Sequence, residues 1–156
     1  MAPATSSCPT VVVDAPVDTV WTLLTNPAGW SSFYDVRVMR VEPPGLATVG
    51  QRVFAESGPR WLHLAVMLTY TNIDPGKRSL GLDVKMPLGL AVNEALSCSP
   101  ISDRQCRVNY HCHFALPRGW RGMLLKIFLR REIREGPADS LRRLKDAAEQ
   151  RFAAQG

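Results

Sequence analysis

The sequence contains no run of about 18 apolar residues, the length that a membrane-spanning helix needs. Its four cysteines, Cys8, Cys98, Cys106 and Cys112, include no CxxC pair, which removes the common zinc and dithiol spacings. GxSxG, HExxH, Walker and dinucleotide-glycine motifs are missing, so hydrolase-elbow, zinc-protease and nucleotide-binding readings fall away. The first nine residues carry neither a basic stretch nor an apolar core, so no secretion signal is read there. With no such signal, the cysteines read as reduced thiols of a cytoplasmic protein. Lysine is scarce, four against fifteen arginines.

What remains is an ordinary globular composition. The chain has 156 residues, 46% hydrophobic and 21% charged, enough for one domain that buries a core or encloses a cavity. Residues 1–9, small and polar, read as a flexible tail, and residues 10–153 as the domain. The net charge is +5, and its distribution is uneven. Residues 1–117 hold nine basic and nine acidic side chains, and residues 118–156 hold ten and five. The excess suggests a polyanionic partner, nucleic acid or an anionic membrane. Yet Glu132, Glu135, Asp139, Asp146 and Glu149 interleave the bases, and pairs such as Arg131–Glu135 and Arg142–Asp146 stand at helical spacing. The basic segment therefore reads as the solvated face of a helix. Neither nucleic-acid binding nor stable membrane insertion is expected.

Hydrophobic spacing gives the order of elements. Thr10–Val13 is a β-branched strand. Val17, Val20, Trp21, Leu23 and Leu24 follow helical spacing, and Asn26-Pro27 stops that helix and opens a short second one through Trp30. From Val36 to Phe114 the pattern alternates between turn residues, giving six strands with short connections that must be antiparallel neighbours. Helical spacing returns from Arg118 onward, with a kink or break expected at Pro137. The sum is an α+β architecture. A curved seven-stranded antiparallel sheet wraps a long C-terminal helix, two short helices follow the first strand, and a cavity lies between sheet and helix.

The segment Val13-Asp14-Ala15-Pro16-Val17-Asp18-Thr19-Val20-Trp21-Thr22-Leu23-Leu24-Thr25-Asn26-Pro27, followed by Trp30, resembles the "APxxxVWxLLxxPxxW" pattern of the SRPBCC superfamily, which includes START-like domains and polyketide cyclases. Gly119-Trp120-Arg121-Gly122 and Ser140–Lys145 fit its long helix, and the resemblance covers about residues 10–152. It implies a helix-grip fold with a deep apolar pocket, closest to the bacterial polyketide cyclase/dehydrase-like group. It transfers no catalytic signature and implies no cofactor.

Strand alternation selects the residues expected to face that pocket. In Leu90–Ser99, Glu94 stands on the face of Leu90, Val92, Leu96 and Cys98. A lone carboxylate there would have its pKa raised by desolvation and be suited to acid–base work, unless a bulge turns it outward or an arginine pairs with it. In Arg104–Phe114, Tyr110 shares a face with Cys106, Val108, Cys112 and Phe114, while His111 and His113 point outward without a third metal ligand. In the strand Trp61–Ile73, Leu62, Leu64, Val66, Leu68 and Tyr70 form the better wall, and Tyr70 offers a hydroxyl. The opposite face, Trp61, His63, Ala65, Met67 and Thr69, is apolar enough to be an oligomer contact, unless the register differs and His63 is an internal base. Leu82 belongs to a plain apolar wall.

Trp30 and Tyr34, in the loop running to Asp35, suit stacking on a planar ligand or ordinary core packing. Met123, Leu124, Ile127 and Phe128 are expected to cover the cavity from the C-terminal helix. The expected ligand set is therefore Trp30, Tyr34, Leu68, Leu82, Val92, Leu96, Val108, Met123 and Ile127. Glu94, Tyr70, Tyr110 and His63 are the catalytic candidates.

One function that fits is a cyclase or dehydratase that folds a hydrophobic, polyketide-like substrate, free or carrier-bound, as in antibiotic biosynthesis and other bacterial secondary metabolism. The alternative is a non-catalytic carrier or sequestering (resistance) protein using the same pocket. Either is compatible with a monomer or a homodimer.

Overall fold

The computed structural model describes residues 4–34, 36–58 and 63–156. Asp35, Pro59, Trp61 and Leu62 lie outside the described residues. Strands β1 (Ala4–Ser7) and β2 (Thr10–Val13) precede helix α1 (Val17–Leu24) and a 3-10 turn at Pro27–Ser32. The strands β3 (Arg37–Glu42), β4 (Arg52–Ser57), β5 (Leu64–Asp74), β6 (Ser79–Lys85), β7 (Ala91–Ser102) and β8 (Gln105–Ala115) follow. Helices α2 (Trp120–Phe128) and α3 (Arg130–Gln155) end the chain.

The strands form one antiparallel sheet in the order β1-β8-β7-β6-β5-β4-β3, with β2 also paired to β8. The sheet and the long terminal helix make a helix-grip fold. Among the described residues it has eight strands, one more than expected. The residues read as a flexible tail include a strand, because Ala4–Ser7 pair with Cys112–Ala115. The interruption at Cys8-Pro9 divides this rim into two four-residue pieces, and Tyr110 N–H bonds the Pro9 carbonyl at 3.0 Å.

Register shifts at Val38/Arg40, Tyr70/Asn72 and Pro100/Ser102 bend the strands that carry them. At the second shift, Thr71 crowds Gly81 across the strand pair. A Cβ on Gly81 would stand 2.8 Å from Thr71 Oγ1, so a larger residue there would require the Thr71 side chain to move. Gln51 is almost wholly buried, and its Nε2 donates to the carbonyls of Pro43, Gly45 and Leu46, tying the β3–β4 loop to the body.

The expected alternation is present in β5 through β8. Leu68, Tyr70, Leu80, Leu82, Val84, Val92, Leu96, Val108 and Tyr110 are buried, while Asn93, Ala95, Asn109 and His111 are exposed. Leu141, Leu144 and Ala148 of α3 complete the core from the other side, together with α1. Lys145, paired with Glu149 along the helix, donates to the Val12 carbonyl at 3.1 Å, and Glu149 accepts from Asp14 N–H at 2.9 Å; these two bonds anchor α3 beside β2.

Two expectations for the C-terminal helix are corrected. The break lies at Leu129 (φ −99°, ψ 10°), and α3 runs on through Pro137. Proline disfavours the helical region for its predecessor chiefly through that residue's Cβ, and the predecessor here is Gly136. Secondly, α2 does not cover a cavity with Met123, Leu124, Ile127 and Phe128, all of which are exposed. It packs instead through buried Gly122 and half-buried Leu125. A Cβ at Gly122 would fall 1.9 Å from the Pro117 carbonyl oxygen, so the absent side chain permits that approach.

Candidate functional site

The site begins where α1 ends. Pro27 opens the 3-10 turn, which closes with Phe33 N–H and Tyr34 N–H both donating to the Trp30 carbonyl. Trp30 is buried, and its indole N–H donates to the Leu24 carbonyl at 3.3 Å. Tyr70 is also buried, and its hydroxyl donates to the same carbonyl at 3.0 Å. Both aromatics therefore lock the end of α1. The Tyr70 hydroxyl is committed to the backbone and does not reach the other candidates.

Tyr34 stacks on Trp30, with ring centroids 5.6 Å apart and planes inclined by 25°. That contact aims its hydroxyl into the sheet, where it donates to Glu94 Oε2. The Tyr34 and Tyr110 hydroxyls stand 2.9 Å apart. Glu94 projects inward from β7, opposite Leu82 on β6 and Cys112 on β8. The result is one carboxyl, two phenols and a thiol at the centre of the apolar face.

Burial raises the Glu94 pKa above the ordinary carboxylate value, and the hydrogen bonds from Tyr34 and Tyr110 oppose that rise. Burial, followed by the neighbouring Glu94 charge, holds both phenols well above their ordinary value, so they remain hydrogen-bond donors. Cys112 is pushed up to about 12, mainly by burial, and stays a thiol. The cluster thus has one carboxyl whose affinity for a proton is raised by burial and two fixed donors beside it.

A raised carboxyl pKa means that the native state holds its proton more tightly than the unfolded chain does. The stabilisation is complete below the ordinary value of 4.5 and is lost as pH rises through the folded value. Wild-type stability is therefore expected to fall over that window relative to Glu94→Gln. Paired denaturant titrations at successive pH values would show it, and parallel curves would refute it.

Tyr34 also borders a surface cleft of about 460 Å³, with Val36, Arg37, Glu56, His63 and Arg143 around it. Tyr34 thus links the cleft, which Glu94 and Tyr110 do not line, to the buried cluster. Met123 and Ile127, being exposed on α2, are not part of this site. Leu68, Leu82, Val92, Leu96 and Val108 are brought together in the packed core, and none borders the cleft. His63 is exposed, with Nδ1 3.5 Å from Glu56 Oε2, so it stands at the rim and not inside. His111 and His113 face outward, bonded to Cys8 Sγ at 2.8 Å and Ser6 Oγ at 3.0 Å. The cysteines are free thiols. Among the described residues, no group of three or more His, Cys, Asp or Glu could hold a metal ion.

Sequence reasoning read Tyr34 as a stacking surface and missed its hydroxyl as the partner of Glu94. Nothing in the local pattern links two residues 60 positions apart. It also missed Arg37, Glu56 and Arg143 at the cleft, which carry no distinctive spacing.

A family model described as "Polyketide cyclase / dehydrase and lipid transport" matches residues 6–149. No curated protein matches the chain in sequence. Among solved structures, the Zhui aromatase/cyclase of Streptomyces sp. R1128 superposes with a TM-score of 0.75 at 16% identity, covering 99% of each chain. A norcoclaurine synthase point mutant of Thalictrum flavum, bound to a transition-state analogue, gives 0.70 at 15% identity, covering 97% of this chain and 98% of the other. A protein of Thermus thermophilus gives 0.75 at 15% identity, covering 97% and 100%. At these identities the likeness is one of fold.

Proposed function

This chain belongs to the polyketide cyclase/dehydrase and lipid transport family, and from that and its buried carboxyl we propose that it promotes cyclisation, aromatisation or dehydration of a hydrophobic, polyketide-like molecule. The observation that carries this reading is Glu94, held among apolar side chains with two phenolic donors directed at it.

The Glu94 carboxylate takes a proton from the acidic carbon between two carbonyls of the substrate. The negative charge that develops on the adjacent carbonyl oxygen accepts hydrogen bonds from Tyr34 and Tyr110. The enolate carbon then attacks a second carbonyl of the same chain, which the cleft holds folded against it. Glu94, now protonated, returns the proton to the new alkoxide; in a dehydration its carboxylate then takes a second proton from the same carbon and delivers it to the hydroxide that departs, so that water is lost. No cofactor enters this sequence. Arg37 and Arg143 at the cleft suit a substrate with an anionic end, including one tethered to a carrier protein. The setting proposed with this activity is cytoplasmic secondary metabolism.

The test is conversion of a linear poly-β-ketone thioester, followed by the rise of aromatic absorbance. The protein is expected to accelerate it, and Tyr34→Phe to slow it by about tenfold to a hundredfold. Equal rates for the two proteins would remove Tyr34 from the mechanism.

A second reading is favoured by the continuous apolar core beneath Glu94 and by the lipid-transport half of the family's description: a carrier that binds without reaction. Native mass spectrometry after incubation with the same thioester separates the two. A carrier returns the substrate at unchanged mass and still linear by chromatography, whereas dehydration lowers the mass by one water and cyclisation alone shifts the retention time.

A further inference from the structure

The face of α2 that was expected to close a cavity is turned to solvent. Trp120, Met123, Leu124, Ile127 and Phe128 are 67%, 65%, 43%, 64% and 76% exposed. They fall at i, i+3, i+4, i+7 and i+8, an apolar arc of about 140° on the helix surface. Arg121 and Lys126 stand at the two edges of that arc, and Arg118, Arg130 and Arg131 at the two ends of the helix. The side packed on the protein is the opposite one, through Gly122 and Leu125. Five bulky apolar groups in water on nine residues are far more than scattered surface exposure.

The electrostatics select the occupant. Between Asp103 and Glu132 the sequence contains no acidic residue, so the charges on α2 itself and on the approach to it are all positive, while at its C-terminal end Arg131 is paired with Glu135. Arg121 also lies 5.7 Å from the centroid of the Trp120 ring, placing a cation beside the aromatic group at the stripe's edge. A convex helix with an aromatic at each end, aliphatics between and bases on both flanks fits a soft anionic apolar surface better than a shaped protein groove. No described helix is long and apolar enough to cross a membrane, so the contact is one of lying on the surface.

We infer that α2 docks the protein on membranes rich in anionic lipid, with the helix in the plane of the interface and its apolar stripe among the acyl chains. This stands apart from the reading of Glu94, which lies on β7 within the sheet. Docking there would bring the protein to the phase in which an apolar ligand is concentrated.

The experiment is co-sedimentation of the full chain with vesicles of phosphatidylcholine alone and of phosphatidylcholine mixed with phosphatidylglycerol. Binding to the mixed vesicles, weakened by salt, is expected, with little binding to the neutral ones. The double variant Ile127→Ser/Phe128→Ser is expected to lower binding by about tenfold or more. Arg121→Glu/Lys126→Glu should abolish the preference for the anionic lipid. Because these side chains are exposed, circular dichroism should be unchanged in both variants. As an independent reading, a blue shift of tryptophan emission on the mixed vesicles should be smaller in Trp120→Phe. Absence of sedimentation with mixed vesicles would overturn the inference, as would equal binding by the serine variant. So would a dimer, or a complex with an acidic carrier protein, that depends on Ile127 and Phe128 while the vesicles remain inert.

Discussion

Glu94→Gln is expected to reduce turnover of the poly-β-ketone substrate by about 10² to 10⁴-fold, the range for loss of a positioned proton-transfer group. Glutamine keeps the shape and can still accept a hydrogen bond from Tyr34, so folding and ligand binding should survive. The loss should therefore appear in kcat with KM little changed. The pH profile gives a second reading. Burial raises the carboxyl pKa, so wild-type activity should climb as pH rises through a value above 4.5, when the base becomes charged. The residual activity of the variant should lack that limb. A variant that retained full kcat would leave Glu94 as a buried structural acid.

Trp30→Ala is expected to be the most damaging single change to the fold, at about 3–5 kcal/mol. The indole fills the space between α1 and β5, packs 5.5 Å from Tyr70 and bonds the last carbonyl of α1. Removing it also takes away the surface on which Tyr34 stacks. Loss of stability and loss of the Tyr34–Glu94 bond should therefore occur together, whereas Tyr34→Phe should cost less, about 1–2 kcal/mol for the hydrogen bond taken from Glu94. Chemical denaturation of the three proteins would show this separation. A Trp30→Ala protein as stable as wild type would mean that the cavity is refilled by its neighbours.

The contrast between these residues shows what was legible in the sequence. Glu94 could be placed because a strand has period two, and one charged residue among Leu90, Val92, Leu96 and Cys98 must share their face. Tyr110 followed from the same argument. Tyr70 followed only in part. Its face was correct, but the destination of its hydroxyl depended on where α1 ends in space. Tyr34 lies in a loop, where no period operates, and its role became visible only through Trp30 beneath it. For α2 the period was read correctly and its meaning was not. A helical apolar stripe states that one face avoids water, and it does not state what covers that face. The break at Leu129 was hidden for a similar reason, since Pro137 is the conspicuous residue but Gly136 relieves it.

The bulge in β3 has a consequence for how the protein behaves at high concentration. Among the described residues β3 pairs only with β4, so its other side offers open backbone donors and acceptors. A flat apolar rim of that kind invites a second chain to extend it. Here the ladder slips between Val38 and Arg40, and Arg37, Arg40 and Glu42 place charges along the strand, with Arg40 and Glu42 paired at 2.8 Å. At the opposite rim the two four-residue strands are divided by Cys8-Pro9, too short to template regular growth. Both rims are thus guarded against edge-to-edge aggregation, one by charge and irregularity and the other by brevity.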